Sequence, residues 1–301
     1  MFRKILVPLD GSPLSEQALP YALHAARQAD ATLDVALVHV PEAYGDFAAP
    51  HTDDSDIEAK GRERAYLDAL RDRLPPAARE MVEIHHLEGI VQEALAAEVA
   101  ERGIDLVMMN AHGWGYTQRA LVGSVSDYLM RHLTVPLLLM HSPASDGDLN
   151  RPASFRRILI PLDGSTLAES ILEPAQMLGG LSQAEYRLLR VVPSPRQFAG
   201  SPGDHTPEPG QHVIDKTTAD SLAYLKGVAQ GMGNQAAAVE TSVTASQNVA
   251  AAIVDEATTS GCDLIAIATH GRGGLSRLLL GSVADKVIRA AHTPVLVYRS
   301  E

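Results

Sequence analysis

The chain has 301 residues, enough for about two ordinary domains, and its 46% apolar fraction with only 4% aromatics is that of a globular protein packed mainly by aliphatic side chains. Its 25 basic residues stand against 37 acidic ones, a net charge of −12 that excludes a nucleic-acid partner, because backbone binding needs a clustered basic face. A lone Cys262 excludes an internal disulfide framework and any cysteine zinc site, and suits a reducing cytosol.

In chain order, the first half reads as strand 3–9, helix 13–29, strand 32–40, helix 56–74, strand 81–87, helix 90–102, strand 104–109, helix 124–133 and strand 136–141. The runs "KILVPL", "LDVALVHV" and "DLVMMN" are nearly continuously apolar, as parallel strands covered on both faces are. Strands alternating with helices predict right-handed crossovers and a doubly wound α/β sheet, whose ligands bind beyond the carboxyl ends of the strands. Ser12, followed by Pro13, and Ser165 read as helix N-caps. The longest apolar runs, such as "TVPLLLM", are too short to cross a bilayer, and "MFRKILVPLDGS" lacks the apolar stretch and cleavage site of a secretory signal. The expectation is therefore a cytoplasmic protein with no membrane partner.

The elements then recur. "FRKILVPLDGS" (2–12) returns as "FRRILIPLDGS" (155–165), "VHVP" (38–41) is matched by "RVVP" (190–193), and "DLVMMNAHGWG" (105–115) by "DLIAIATHGRG" (263–273). "GSVSD" (123–127) returns as "GSVAD" (281–285), and each half ends on an apolar strand after proline. The duplication predicts one domain over 1–142, a polar linker over 143–154 and a second domain over 155–301, with the extra residues of the second half in "SPRQFAGSPGDHTPEPG".

The candidate site is the glycine-rich segment of each half. No Walker loop occurs, and "GRGGLS" fails the dinucleotide fingerprint at its last position. What remains is a strand, a glycine turn, a spacer, and Gly-Ser opening a helix in which Ser124 with Asp127, and Ser282 with Asp285, form S-x-x-D capping patterns. Glycine turns and capped helices need no ligand; bare amides at a helix N-terminus, with Arg272 and Arg277 nearby, make an anion site. The residues alone leave both readings open. His112 and His270 have no acidic partner beside them in sequence, and His85-His86 and the other histidines lack metal-ligand spacing.

In their order and their repetition, "ILVPLDGS", "THGRGG", "GSVADKV" and "TPVLVY" resemble the universal stress protein family, in its tandem two-domain form. The resemblance implies two domains, each a five-stranded parallel sheet flanked by helices, joined as a pseudo-dimer through their last strands "VPLLLM" and "TPVLVY". The family's ATP-binding branch carries G-x-x-G, nine residues, then G-[ST]. The nine-residue spacing holds from Gly113 to Gly123 and from Gly271 to Gly281, while Asn110 and Ala268 replace the first glycine. By this resemblance Gly271, Gly281, Ser282 and Val283 line the phosphates, Asp163 lies near the ribose or a nucleotide-bound Mg²⁺, and Val192 meets the adenine edge; Arg272 and Gly273 join the candidate cofactor-binding set through their charge and turn. In the first half these roles fall to Gly113, Gly123, Ser124, Val125, Asp10 and Val40, with Gly89 after the third strand where the second half has Gln247. Arg272, which stands where the first half has Trp114, favours the second half. The implied activity is ATP binding by a regulatory or signalling module, possible as a homodimer, without efficient hydrolysis. The alternative is a nucleotide-free scaffold of the same fold.

Overall fold

The computed structural model describes residues 1–41, 53–111, 123–141, 148–149, 153–192, 194, 209–233, 238–269 and 281–300. In the first half β1 (Lys4–Leu9), β2 (Thr32–His39), β3 (Val82–Glu88), β4 (Leu106–Asn110) and β5 (Leu137–Met140) alternate with α1 (Leu19–Ala29), α2 (Asp53–Arg73), α3 (Val91–Arg102) and α4 (Ser124–His132). The second half supplies β6 (Arg157–Pro161), α5 (Thr166–Glu169), α6 (Leu172–Gly180), β7 (Glu185–Val192), α7 (Pro209–Gly231), β8 (Val239–Ala245), α8 (Val249–Thr259), β9 (Leu264–Thr269), α9 (Ser282–Ala290) and β10 (Val295–Arg299). The predicted helix 13–29 begins late. Ser12 Oγ accepts the Ser15 amide at 3.1 Å, a 3-10 turn covers Ser15–Ala18, and α1 follows with Pro20 in its first turn, because proline cannot donate to the carbonyl four residues back.

Each half is a parallel sheet in the doubly wound order, β3-β2-β1-β4-β5 and β8-β7-β6-β9-β10, and the two join into one ten-stranded sheet at β5 and β10. Among the described residues that junction alone is antiparallel, with Leu138 opposite Leu296 and Leu137 opposite Val297. Alternate strand residues feed two cores. Ile5, Val7, Leu138, Ile158 and Leu296 face one side, and Leu6, Leu137, Leu139, Leu159 and Val295 face the other, so both cores run unbroken across the junction. Side chains also cross it: His141 Nε2 donates to the Ile288 carbonyl at 2.9 Å, Arg299 to the Arg131 carbonyl, and Tyr21 stacks on Phe155 with centroids 4.9 Å apart.

The capping patterns form differently from the sequence reading. Gly123 and Gly281 occupy the caps, Ser124 and Ser282 are the first helical residues, and the glycine at each cap offers no side chain to the helix. Asp127 and Asp285 are drawn away to Arg131 and Arg289, one turn on, at 2.8 and 3.0 Å. Ser165 does cap, accepting the Ala168 amide at 3.0 Å. Arg131 hydrogen-bonds the Asp127 carboxyl and, with the attraction of Arg289 across the junction, holds it below its usual value against the opposing effect of burial. A depressed folded-state pKa stabilises the fold above the ordinary aspartate value, near pH 4, and that stability is lost as pH falls through the folded value. Asp127→Asn is therefore expected to lower the urea midpoint at pH 7 and leave it nearly unchanged at pH 2. An equal loss at both pH values would show that the charge contributes nothing.

Candidate functional site

The carboxyl ends of β1 and β4, the turn after β1 and the start of α4 surround a cavity of about 710 Å³. Asp10, Val40, Gly123, Ser124 and Val125 line it, together with Asn110, Arg62, Glu63 and Tyr66. The corresponding cleft of the second half is about 170 Å³ and is lined by Asp163, Gly281, Ser282 and Val283, with Ala268 at its floor. Gly113, Gly271, Arg272 and Gly273 lie outside the described residues, as do His112, His270, Arg277 and Trp114.

Local sequence explains the placement. Asp10 Oδ1 accepts the Ser12 amide at 2.9 Å, and Asp163 Oδ1 accepts both the amide and the hydroxyl of Ser165, at 2.9 and 2.5 Å, so each aspartate closes its own turn. Burial would raise the Asp163 carboxyl, but the two Ser165 bonds and the attraction of Arg190 outweigh it and hold the group below its usual value. The Gly123 amide is spent on the Ala111 carbonyl at 2.9 Å, and Ser126 Oγ is 3.3 Å from the same carbonyl. These bonds fix α4 over the end of β4 and leave its uncapped first turn, at exposed Ser124 and half-buried Val125, facing the cavity. Asn110, in place of the first glycine, turns its amide onto the Leu14 carbonyl and Gln17, both at 3.2 Å.

The halves are less alike than their motifs suggest. Lys4 pairs with Thr32 and Arg157 with Glu185, so the equivalent positions differ by 153 and His39, not Val40, corresponds to Val192. The ladder agrees: the Gly89 amide donates to His39 O and the Ser246 amide to Val192 O, both at 2.9 Å, which makes Ser246 rather than Gln247 the counterpart of Gly89. Val40 is 42% exposed and lines the first cavity. Val192 is 3% exposed with its carbonyl occupied, and Val191 rather than Val192 lines the second cleft. Gly89 is not among the described residues around the first cavity.

Two features were invisible in the linear pattern. Leu37 of the first cavity is replaced in the second half by Arg190, whose Nη1 lies 2.6 Å from where a Cβ on Gly164 would stand, and whose guanidinium sits 5.5 Å from the Tyr224 ring. Gly164, at φ +83°, admits this approach because it has no side chain. Beside the first cavity, His39, Glu63 and His86 bring ring nitrogens and a carboxylate oxygen together, although the two histidines stand 47 positions apart in sequence. Strand register is the signal that finds them: His39 pairs with Glu88, so His86, two residues earlier, shares its face.

The profile of the universal stress protein family matches residues 1–141 and again 154–299. A universal stress protein of Methanocaldococcus jannaschii is 33% identical over 147 residues, 48% of this chain and 82% of that one. One from Mycolicibacterium smegmatis is 25% identical over 304 residues, 98% of this chain and 96% of the relative. The crystal structure of a universal stress protein from Archaeoglobus fulgidus superposes with a TM-score of 0.69 at 19% identity, covering 99% of this chain and 98% of that one.

Proposed function

Because the chain belongs to the universal stress protein family, we propose that it binds ATP at the carboxyl rim of the sheet and acts as a regulatory or signalling module, not as an efficient enzyme. The observation that carries this reading is the coincidence, in the first half, of a cavity of about 710 Å³ with an uncapped helix start at Ser124 and the exposed carboxylate of Asp10. That volume lies within the range of small-molecule sites, roughly 300–1,000 Å³. The triphosphate would lie on the amides of Ser124 and Val125, where the helix dipole favours negative charge, and the base towards Val40. Asp10 would meet the ribose or a nucleotide-bound Mg²⁺.

The second cleft, at about 170 Å³, lies below the roughly 300–1,000 Å³ range of small-molecule sites. For that half the smaller cleft favours the alternative, an interaction surface that holds no nucleotide, over a Mg-ATP site made of Asp163, Val192, Gly271, Arg272, Gly273, Gly281, Ser282 and Val283. The proposal includes a cytoplasmic location, a division into 1–142, 143–154 and 155–301, and pairing of the two halves within one chain through β5 and β10; a homodimer of whole chains would add to that pairing. Among the described residues no helix is long and apolar enough to cross a membrane.

Thermal unfolding with and without Mg-ATP tests the reading. A ligand at a hundred times its dissociation constant stabilises by about 2.7 kcal/mol, a rise of roughly 5–10 °C for domains of this size. Ser124→Glu places a negative charge where the phosphates would lie, at an exposed first-turn position that an acidic residue suits. It is expected to abolish the shift, whereas Ser282→Glu leaves it. Loss of the shift in Ser282→Glu alone moves the site to the second half. No shift in the unaltered chain at millimolar Mg-ATP leaves the nucleotide-free scaffold.

A further inference from the structure

We propose that His39, Glu63 and His86 form a binding site for a divalent transition-metal ion of zinc type, with three protein ligands and a fourth position open to solvent or a small ligand. Glu63 Oε2 lies 2.9 Å from His39 Nδ1 and 2.7 Å from His86 Nε2, and the three candidate ligand atoms are all within 4.8 Å of one another. One carboxylate and two imidazoles is a donor set that zinc takes in open sites.

The surroundings suit a metal. The other ring nitrogen of His39, Nε2, lies 2.8 Å from Asp56 Oδ1. A carboxylate that accepts the second N–H of a ligating histidine fixes its tautomer and raises its basicity. Lys60 bridges Asp56 at 3.2 Å and Glu88 at 3.1 Å. With the histidines neutral, this connected network carries three carboxylates against one ammonium, and a divalent cation cancels the difference. Zinc bond lengths place neighbouring ligands on the order of 3.3 Å apart, so Glu63 must recede by about half an ångström from each ring. It stands on α2, 26% exposed at the cavity wall, and has room to do so.

The second half provides an internal comparison. Strand register equates His39 with Val192 and His86 with Val243. Tyr66 bonds to Glu16 as Tyr224 bonds to Glu169, which equates Glu63 with Ser221. The same fold therefore stands with valine, valine and serine at these positions, and the cluster is not a requirement of folding. The neighbouring group of Asp34, Glu83 and His85 differs: Arg102 Nε sits 2.7 Å from Asp34 and already supplies the cation. Its second-half counterpart is an ordinary ion-pair network of Arg187 with Glu240 and Glu256, both at 2.6 Å.

The test uses the full chain, stripped by chelator and free of nucleotide, so that it does not depend on the ATP reading. Titration with Co²⁺ is expected to give the visible ligand-field bands of a four-coordinate site, displaced by one equivalent of Zn²⁺ per chain, with matching stoichiometry by elemental analysis. His39→Val with His86→Val installs residues that the second half already carries, and is expected to abolish the bands while the circular dichroism is unchanged. Asp56→Asn is expected to weaken Co²⁺ binding about 10–100-fold, and His85→Ala to leave it intact. Absence of bands in the unaltered chain, or bands that survive the double substitution, overturns the proposal. The cluster is then a hydrogen-bonded network in which the His39 ring lies between Asp56 and Glu63.

Discussion

A Leu138→Asp chain is expected to lose more than about 4 kcal/mol of stability and to separate at the centre of its sheet. Leu138 is fully buried opposite Leu296, itself fully buried, on the strand pair that joins the halves. Leu138→Ala alone costs about 2–5 kcal/mol through lost burial and the cavity left behind. A carboxylate adds the desolvation of a charge with no partner. Since domains are stable by only about 5–15 kcal/mol, the aspartate removes a large share of the total. In urea, the unaltered chain is expected to unfold in one transition and the aspartate variant in two, as each half loses its neighbour. The freed edges of β5 and β10 then invite pairing between chains, visible as larger species in size-exclusion chromatography. A cost below about 1 kcal/mol for Leu138→Ala would mean that the junction is a weak contact.

Glu16→Ala is expected to cost about 2–4 kcal/mol and to act on the first half. Glu16 is 6% exposed and accepts two bonds from Arg73, at 2.7 and 2.9 Å, and one from the Tyr66 hydroxyl at 2.8 Å. Burial, with the bond to Glu16 behind it, raises the Tyr66 pKa far above the usual value, so the phenol remains a donor that must find an acceptor. Removing the carboxylate strands that donor and a guanidinium together; the half exposure of Arg73 tempers the loss. Glu16→Gln keeps an acceptor and is expected to cost about 1–2 kcal/mol. The second half again supplies a comparison: Glu169 accepts Tyr224 at 2.7 Å with no arginine bonded to it among the described residues, so Glu169→Ala is expected to cost about 1 kcal/mol. Because Tyr66 lines the first cavity, Glu16→Ala is also expected to shrink the thermal shift given by Mg-ATP. Equal losses for Glu16→Ala and Glu169→Ala would show that the arginine adds nothing.

The strands were legible because a parallel strand covered on both faces must be apolar along its length, and "KILVPL" and "DLVMMN" are. The turn aspartates and the glycine before each late helix were legible from spacing alone. The caps were misread because S-x-x-D describes two competing bonds, and the arginine one turn beyond each aspartate takes it. The match of "VHVP" with "RVVP" slipped by one because both runs end in Val-Pro, and only pairing with β1 and β6 fixes the register. Arg190 over Gly164, and His39 beside His86, arise from chain segments far apart, where sequence spacing carries no information.

The junction of β5 with β10 has an evolutionary consequence. Two identical chains meeting at such an edge must present the same rim twice, because any substitution appears in both. Fused in one polypeptide, the halves drift independently while the shared sheet keeps them in place. One rim can then exchange leucine for the arginine at 190 and valines for histidines at 39 and 86, and the other need not follow. The cost of that freedom is that neither half can be swapped for a fresh copy. The repeat thus keeps its shared sheet while its two rims differ in sequence.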